Sequence, residues 1–294
     1  MLESRLKLFL MNTFRDLRGI STFDPDEADA FADDPLFLRS VARTVAVMSA
    51  FQTARQPLSL SQVASAAGID RSAAQRIVHT LLKLNMLARD PDDRGYLPGL
   101  RVLDLTHDLL RLNPMLQRAN PVMLELRRRV SERVDLSLFD DVRVIYALRM
   151  PSKHEVFSAT IVGNAVPTYC TAGGVAILSR LPDDTIADIV SRSDLTPFTP
   201  HTVRDLEGVM NHVRATRERG HSLLCSQLLN NEVVIGAPIL DWRGTPVGAI
   251  HVAGNLQEWT AEGFSDSFGP LIQNAAQTVS EKSSPSGNRK IGTV

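Results

Sequence analysis

The chain has 294 residues, 44% hydrophobic and 22% charged, with a formal net charge of −1. That composition is globular and the length suffices for two domains, each with a core of its own. No apolar run reaches the roughly 20 residues of a membrane helix, and two cysteines, Cys170 and Cys225, make no disulfide framework, so a cytoplasmic protein without membrane contact is expected.

Residues 1–35 open with the mixed-charge amphipathic LESRLKLFLMNTFRDLRG and continue into the acidic DPDEADAFADD; they read as a partly disordered extension. Residues 36–112 hold 10 Lys and Arg against 6 Asp and Glu, whereas 1–35 hold 4 against 8. A basic module inside a near-neutral chain suits a protein that meets nucleic acid through one part only. After Pro35, FLRSVARTVAVMSAFQ predicts a helix with Val41, Val45, Met48 and Phe51 facing inward. SLSQVASAAG and IDRSAAQRIVHTLLKL then predict two helices around Gly68. Ser59 with Gln62 and Ser72 with Gln75 each match the S-x-x-Q capping box. Ala74, Ile77, Val78 and Leu81 form the buried stripe of the second helix. Arg71, Ser72, Gln75, Arg76 and His79 are the candidate DNA-reading residues on its other side. Two helices around a glycine also occur in ordinary helical cores. Here MLARDPDDRGYLPG follows directly and reads as a β-hairpin, so residues 36–98 are expected to form a winged helix-turn-helix. Arg89 and Arg94 on the wing are placed to meet phosphate.

GLRVLDLTHDLLRLN predicts a strongly apolar linker helix within 99–119, broken at Pro114, whose simplest partner is a second copy. Pro121 is read as the start of a further helix, with Arg127 to Arg129 on a solvated face. From Val134 the period changes to two: VDLSLFD and VRVIYALRM flank an Asp140–Asp141 turn, and HEVFSATIV is a third strand. TAGGVAILSRL predicts a helix with a glycine-rich entrance, and FTPHTVRDLEGVMNHVRATRERG a longer one opened at Thr202. SLLCSQLL, EVVIGAPIL and TPVGAIHVAG supply strands, with DWRG a turn, and GFSDSFGPLIQNAAQTVS a last helix. Strands grouped at each end with helices between them give an α+β domain over 120–282 with one antiparallel sheet; 283–294 read as a disordered tail. H-E-x-x-H, G-x-S-x-G and a metal-spaced Cys/His set are all missing, so no enzyme, cofactor or metal is expected. A sensor whose helix-turn-helix contacts protein instead of DNA remains an alternative.

The order of these pieces, together with RSVARTVAVMSAF, LSLSQVASAAGIDRSAAQRIVHTL, VPTYCTAGGVAILS and GAPILDWRGTPVGAIHVAG, resembles the isocitrate-lyase-regulator (IclR) family of bacterial transcription factors over roughly residues 36–282. The resemblance implies a winged helix, a dimerising linker helix and a C-terminal GAF-like domain that binds a small effector. It also implies homodimers or tetramers on double-stranded, pseudo-palindromic operator DNA. Carried over by position, the effector-site walls are Val166, Ala172, Gly173, Leu224, Val234, His251 and Ala253, with Tyr169 and His251 offering hydrogen bonds. Leu224, Val234 and Ala253 stand where relatives that bind small oxo-acids carry polar groups. The effector is therefore expected to be larger and less polar, an aromatic compound or organic acid, with its carboxylate favoured at the start of the TAGG helix.

Overall fold

A computed structural model describes residues 33–152 and 162–281. The extension before residue 33, most of the HEVFSATIV strand and the tail beyond 281 lie outside the described residues. The chain divides into two compact units, with the boundary between Leu112 and Asn113.

In the first unit α1 (Arg39–Ser49), α2 (Leu60–Ala66) and α3 (Arg71–Lys83) pack around Val47, Val63, Val78 and Leu81. Ser59 forms the expected capping box with Gln62 at the start of α2, and Gly68 takes the left-handed φ of 63° that ends the helix. The second capping box does not form. Asp70 caps α3 by accepting from the Ala73 amide at 2.9 Å, and Ser72 sits inside the first turn with its hydroxyl donating to Asp70 Oδ1 at 2.6 Å. A carboxylate one residue before the helix outcompetes a hydroxyl one residue into it. The α1 stripe also differs from expectation. Val41 is 55% exposed and Val45 47%, whereas Ala46, Val47 and Ala50 face inward, the small residues allowing close approach of the helices. Met48 and Phe51 pack against this core as expected.

Strands β1 (Leu87–Arg89) and β2 (Tyr96–Pro98) form the antiparallel wing. Leu58 and Tyr96 exchange backbone hydrogen bonds of 3.0 and 2.8 Å, which fastens the wing to the entrance of α2. A Cβ on Gly95 would lie 2.4 Å from the Leu58 carbonyl oxygen, so only glycine permits that approach. Helix α4 (Arg101–Leu112) leaves Leu103, Leu105, Leu109 and Leu112 more than half exposed.

The second unit opens with α5 (Pro114–Val130), capped by Asn113. Pro121 lies inside this helix rather than at the start of another. The buried Met115, Leu116, Ala119, Met123, Leu126 and Val130 hold the helix together through the one backbone donor that proline removes. Among the described residues, a six-stranded, wholly antiparallel sheet follows in the order β5-β4-β3-β8-β7-β6. Its strands are β3 (Arg133–Asp140), β4 (Arg143–Met150), β5 (Ala165–Pro167), β6 (Ser222–Cys225), β7 (Glu232–Leu240) and β8 (Pro246–Asn255).

Between β5 and β6 come α6 (Ala172–Leu178), α7 (Asp183–Arg192) and α8 (Leu206–Arg219); α9 (Ala261–Val279) closes the fold. The alternation of β8 separates the two faces of the sheet. Gly248 and Gly254 abut Met115 of α5 and Phe264 of α9, whereas His251 abuts Gly173 of α6. Helix α7 escaped the sequence reading, although Ile186, Ile189 and Val190 carry a helical spacing and are buried. Thr202 does not open α8. Its hydroxyl accepts from the Phe198 and Thr199 amides and donates to the Gln227 carbonyl, and Asp205 is the cap.

Candidate functional sites

On α3 the predicted residues Arg71, Ser72, Gln75, Arg76 and His79 are all exposed, and Thr80 and Lys83 are exposed beside them. Arg71 Nη1 donates to Ser61 Oγ of α2 at 2.6 Å, which sets the side chain at the junction of the two helices. On its other flank, α3 meets α1 across a groove of about 320 Å³. Among the described residues, Arg43 of α1 and Arg76 are the charged side chains lining that groove, so Arg43 is a basic residue beside the reading face that the motif did not single out. The wing arginines are less available. Arg94 Nε lies 2.8 Å from Asp90 Oδ2 and its Nη2 3.1 Å from Asp92 Oδ2. Arg89 stands over the Tyr96 ring at 5.3 Å, with Asp93 at 3.6 Å. The Arg94 guanidinium beside Asp90 holds that carboxyl below its usual range. With three aspartates in the same hairpin, the wing carries no net positive charge to meet a phosphate.

In the second unit a cavity opens between α6 and the adjoining face of β3, β4, β6, β7 and β8. Of the predicted effector residues, Ala172, Leu224, Val234 and His251 line it. Ala253 pairs with Val234 and Arg133 in the sheet register beside it. Gly173 lies under the His251 ring, where a Cβ would come within 2.5 Å of Nε2. Val166 and Tyr169 are not brought to the wall. Val166 packs with Val144 and Ile177 in a separate cluster, and Tyr169 is buried against α7 and α8 with its hydroxyl donating to the Asp194 carbonyl at 3.3 Å.

The start of α6 is not an open anion cradle either. Thr171 Oγ1 accepts from the Gly174 amide at 3.2 Å, and the helix is only seven residues long.

The sequence reading missed Arg133, Tyr146, Leu228 and Glu232 on the cavity wall. Arg133 Nε binds Asp135 Oδ2 at 3.0 Å, and its Nη2 donates to Glu232. Arg149 Nε approaches Asp135 Oδ1 at 3.3 Å from β4. Two arginines and two carboxylates thus balance inside the domain, which is what makes their burial tolerable. An apolar strand pattern hides such a set, because a charged residue on an inward register position reads as solvent-facing until the neighbouring strand is known.

His251 Nε2 is hydrogen-bonded to Ser137 Oγ at 2.8 Å and its ring has the Tyr146 ring centroid 5.5 Å away. Burial, with Arg133 and Arg149 acting in the same direction against Asp135, pushes its pKa down to about 4. The imidazole is therefore neutral at pH 7. A depressed histidine stabilises the fold fully above its unfolded pKa of about 6.5 and loses that contribution as pH falls towards 4, here by about 3 kcal/mol. Thermal melts of wild type between pH 7 and pH 4.5 are expected to fall more steeply than those of His251→Gln. Parallel slopes would remove the histidine from this role.

Comparison with known proteins agrees with this architecture. A family profile described as "IclR helix-turn-helix domain" matches residues 40–91, and one described as "Bacterial transcriptional regulator IclR C-terminal" matches 107–281. The chain is 28% identical over 251 residues to the Pca regulon regulatory protein of Pseudomonas putida, covering 85% of this chain and 86% of that one. It is 24% identical over 248 residues to the p-hydroxybenzoate hydroxylase transcriptional activator of Acinetobacter baylyi, covering 83% and 91%. Among solved structures, an IclR transcriptional regulator from Alicyclobacillus acidocaldarius superposes with a TM-score of 0.73 at 20% identity, covering 83% of this chain and 98% of that one. An IclR homologue from Microbacterium hydrocarbonoxydans, complexed with 4-hydroxybenzoate, gives 0.66 at 21%, covering 82% and 97%.

Proposed function

Because this chain belongs to the IclR family and is a transcriptional regulator rather than an enzyme, we propose that it reads operator DNA through α3 and tunes that reading with an aromatic carboxylate held beside His251. The observation carrying the DNA half is the exposed polar face Arg71, Gln75, Arg76 and His79 on the second helix of a capped helix-turn-helix. Arg76 and Gln75 face base edges, while Arg43 joins the backbone contacts. The wing, with its arginines tied to its own aspartates, contributes less than its sequence suggests. The leucines left exposed along α4 are covered by a second copy, giving a homodimer whose two reading heads match a pseudo-palindrome.

For the effector, Leu224, Val234 and Leu228 supply an apolar wall and Arg133 a cation, a pairing that suits a ring bearing one carboxylate. One relative is named for p-hydroxybenzoate hydroxylase and another is complexed with 4-hydroxybenzoate, which supports this class. The whole reading is tested by titrating the protein onto its own upstream intergenic fragment and onto random duplex at moderate salt, with and without 4-hydroxybenzoate. A specific preference of roughly 10³-fold or more is expected, shifted by the effector roughly 5- to 150-fold. By linkage, operator DNA must change 4-hydroxybenzoate affinity by the same factor. No preference between the duplexes would overturn the DNA assignment and favour protein contacts for the helix-turn-helix.

A further inference from the structure

The charges on the cavity wall are balanced but not equally anchored. Asp135 is 2% exposed in mid-β3 and is approached by both Arg133 and Arg149. Glu232 is the first residue of β7, directly after the segment 226–231, and is bound by Arg133. That segment turns at both ends through left-handed residues, Ser226 with φ 53° and Asn231 with φ 61°. It also supplies Ser226, Gln227 and Leu228 to the cavity wall. The cavity itself holds only about 20 Å³, room for one water. Nothing the size of a benzene ring enters unless part of the wall leaves. The wall element that carries Glu232 is joined to residues 199–203, where the Thr199 and Thr202 hydroxyls donate to the Ser226 and Gln227 carbonyls and the Gln227 side chain accepts from the Val203 amide and donates to the His201 carbonyl, so the two stretches leave the wall together.

We propose that Glu232 is a built-in stand-in for the effector's carboxylate: the effector takes the Arg133 guanidinium from it, and the displaced Glu232 carries segment 226–231, with the residues 199–203 bonded to it, outward. The inference rests on the effector-binding reading given above and specifies how that site is regulated. If Glu232 leaves alone, the cavity keeps Arg133 on its wall, with Asp135 and Arg149 bound behind it, and the buried set is left with a net positive charge, which is costly. A monocarboxylate restores neutrality and offers two oxygens to the planar fork of the arginine. A neutral ring of the same shape cannot. The site therefore selects for one negative charge before it selects for ring size. The tethered carboxylate also competes at high effective concentration, so it raises the effector level needed for a response.

Glu232→Gln in the full chain removes the competing charge at nearly constant shape, and Glu232→Ala provides a second variant should the first disturb folding. Two measurements decide the matter: amide exchange of residues 226–232 without any ligand, and calorimetric titration with acetate, pyruvate, benzoate, 4-hydroxybenzoate and neutral benzamide. The expected result is exchange at least about tenfold faster in the variant and at least one carboxylate bound about tenfold more tightly than by wild type, with benzamide bound by neither. Tighter binding confined to acetate or pyruvate upholds the stand-in and removes the aromatic-effector reading. Benzoate binding equally well to wild type and variant upholds the aromatic effector and overturns the stand-in. Unchanged exchange, or no carboxylate bound by the variant, overturns the stand-in as well.

Discussion

Replacing Arg71 and Arg76 together by alanine is expected to lower specific operator affinity by about 30-fold to 10⁴-fold, leaving the fold intact. The range follows from roughly 1–3 kcal/mol for each arginine that meets a base edge. Both side chains are exposed, and the Arg71–Ser61 bond at the α2–α3 junction lies at the surface, so its loss costs stability little. Anisotropy titrations at several salt concentrations separate the two roles. If Arg76 reads a base edge, its removal narrows the gap between operator and random duplex. If Arg43 meets a phosphate, its removal weakens both alike and flattens the salt dependence by about one unit of slope. Arg94→Ala serves as an internal comparison. Since Asp90 and Asp92 already hold that guanidinium, it is expected to change affinity far less than Arg76→Ala, and an equal loss would restore the wing to the interface.

Gly174→Ala is expected to be the most damaging single methyl group in the effector domain. The added Cβ would stand 1.9 Å from the Thr168 carbonyl oxygen and 2.6 Å from its carbonyl carbon, both backbone atoms in the turn that launches α6. No side-chain rotation relieves that overlap. Either the helix moves off the sheet or the 168–171 turn breaks, and overpacking of this kind costs about 3 kcal/mol or more. The corresponding fall in melting temperature is roughly 6–12 °C. Gly244→Ala is the fitting control, because a Cβ there meets nothing within 4 Å and the remaining penalty comes from its φ of +83° alone. A melting temperature for Gly174→Ala within a degree of wild type would show that the helix entrance yields more easily than its packing implies.

Much of the fold was legible because each element carried a local signal strong enough to survive its surroundings. The polar side of α3, the alternation of β3 and β4 around Asp140–Asp141, and the glycine after α2 are of that kind. The errors fall where tertiary packing overrules a local rule. Pro121 reads as a start, yet the helix passes through it because six buried neighbours hold it. Val41 and Val45 read as core, yet the alanine-lined side of α1 is the one that fits against its neighbours. Tyr169 is expected from the resemblance to offer the effector a hydrogen bond, whereas its hydroxyl donates to the Asp194 carbonyl. Arg133 and Glu232 were invisible for a different reason. They are 99 positions apart, and only the β3-β8-β7 order of the sheet makes them neighbours.

The scarcity of empty space behind α6 also sets a tempo. A receptor whose binding chamber must first be vacated responds no faster than its own wall fluctuates, typically on microsecond to millisecond or longer timescales, however abundant the effector. At high effector concentration the observed association rate should therefore level off.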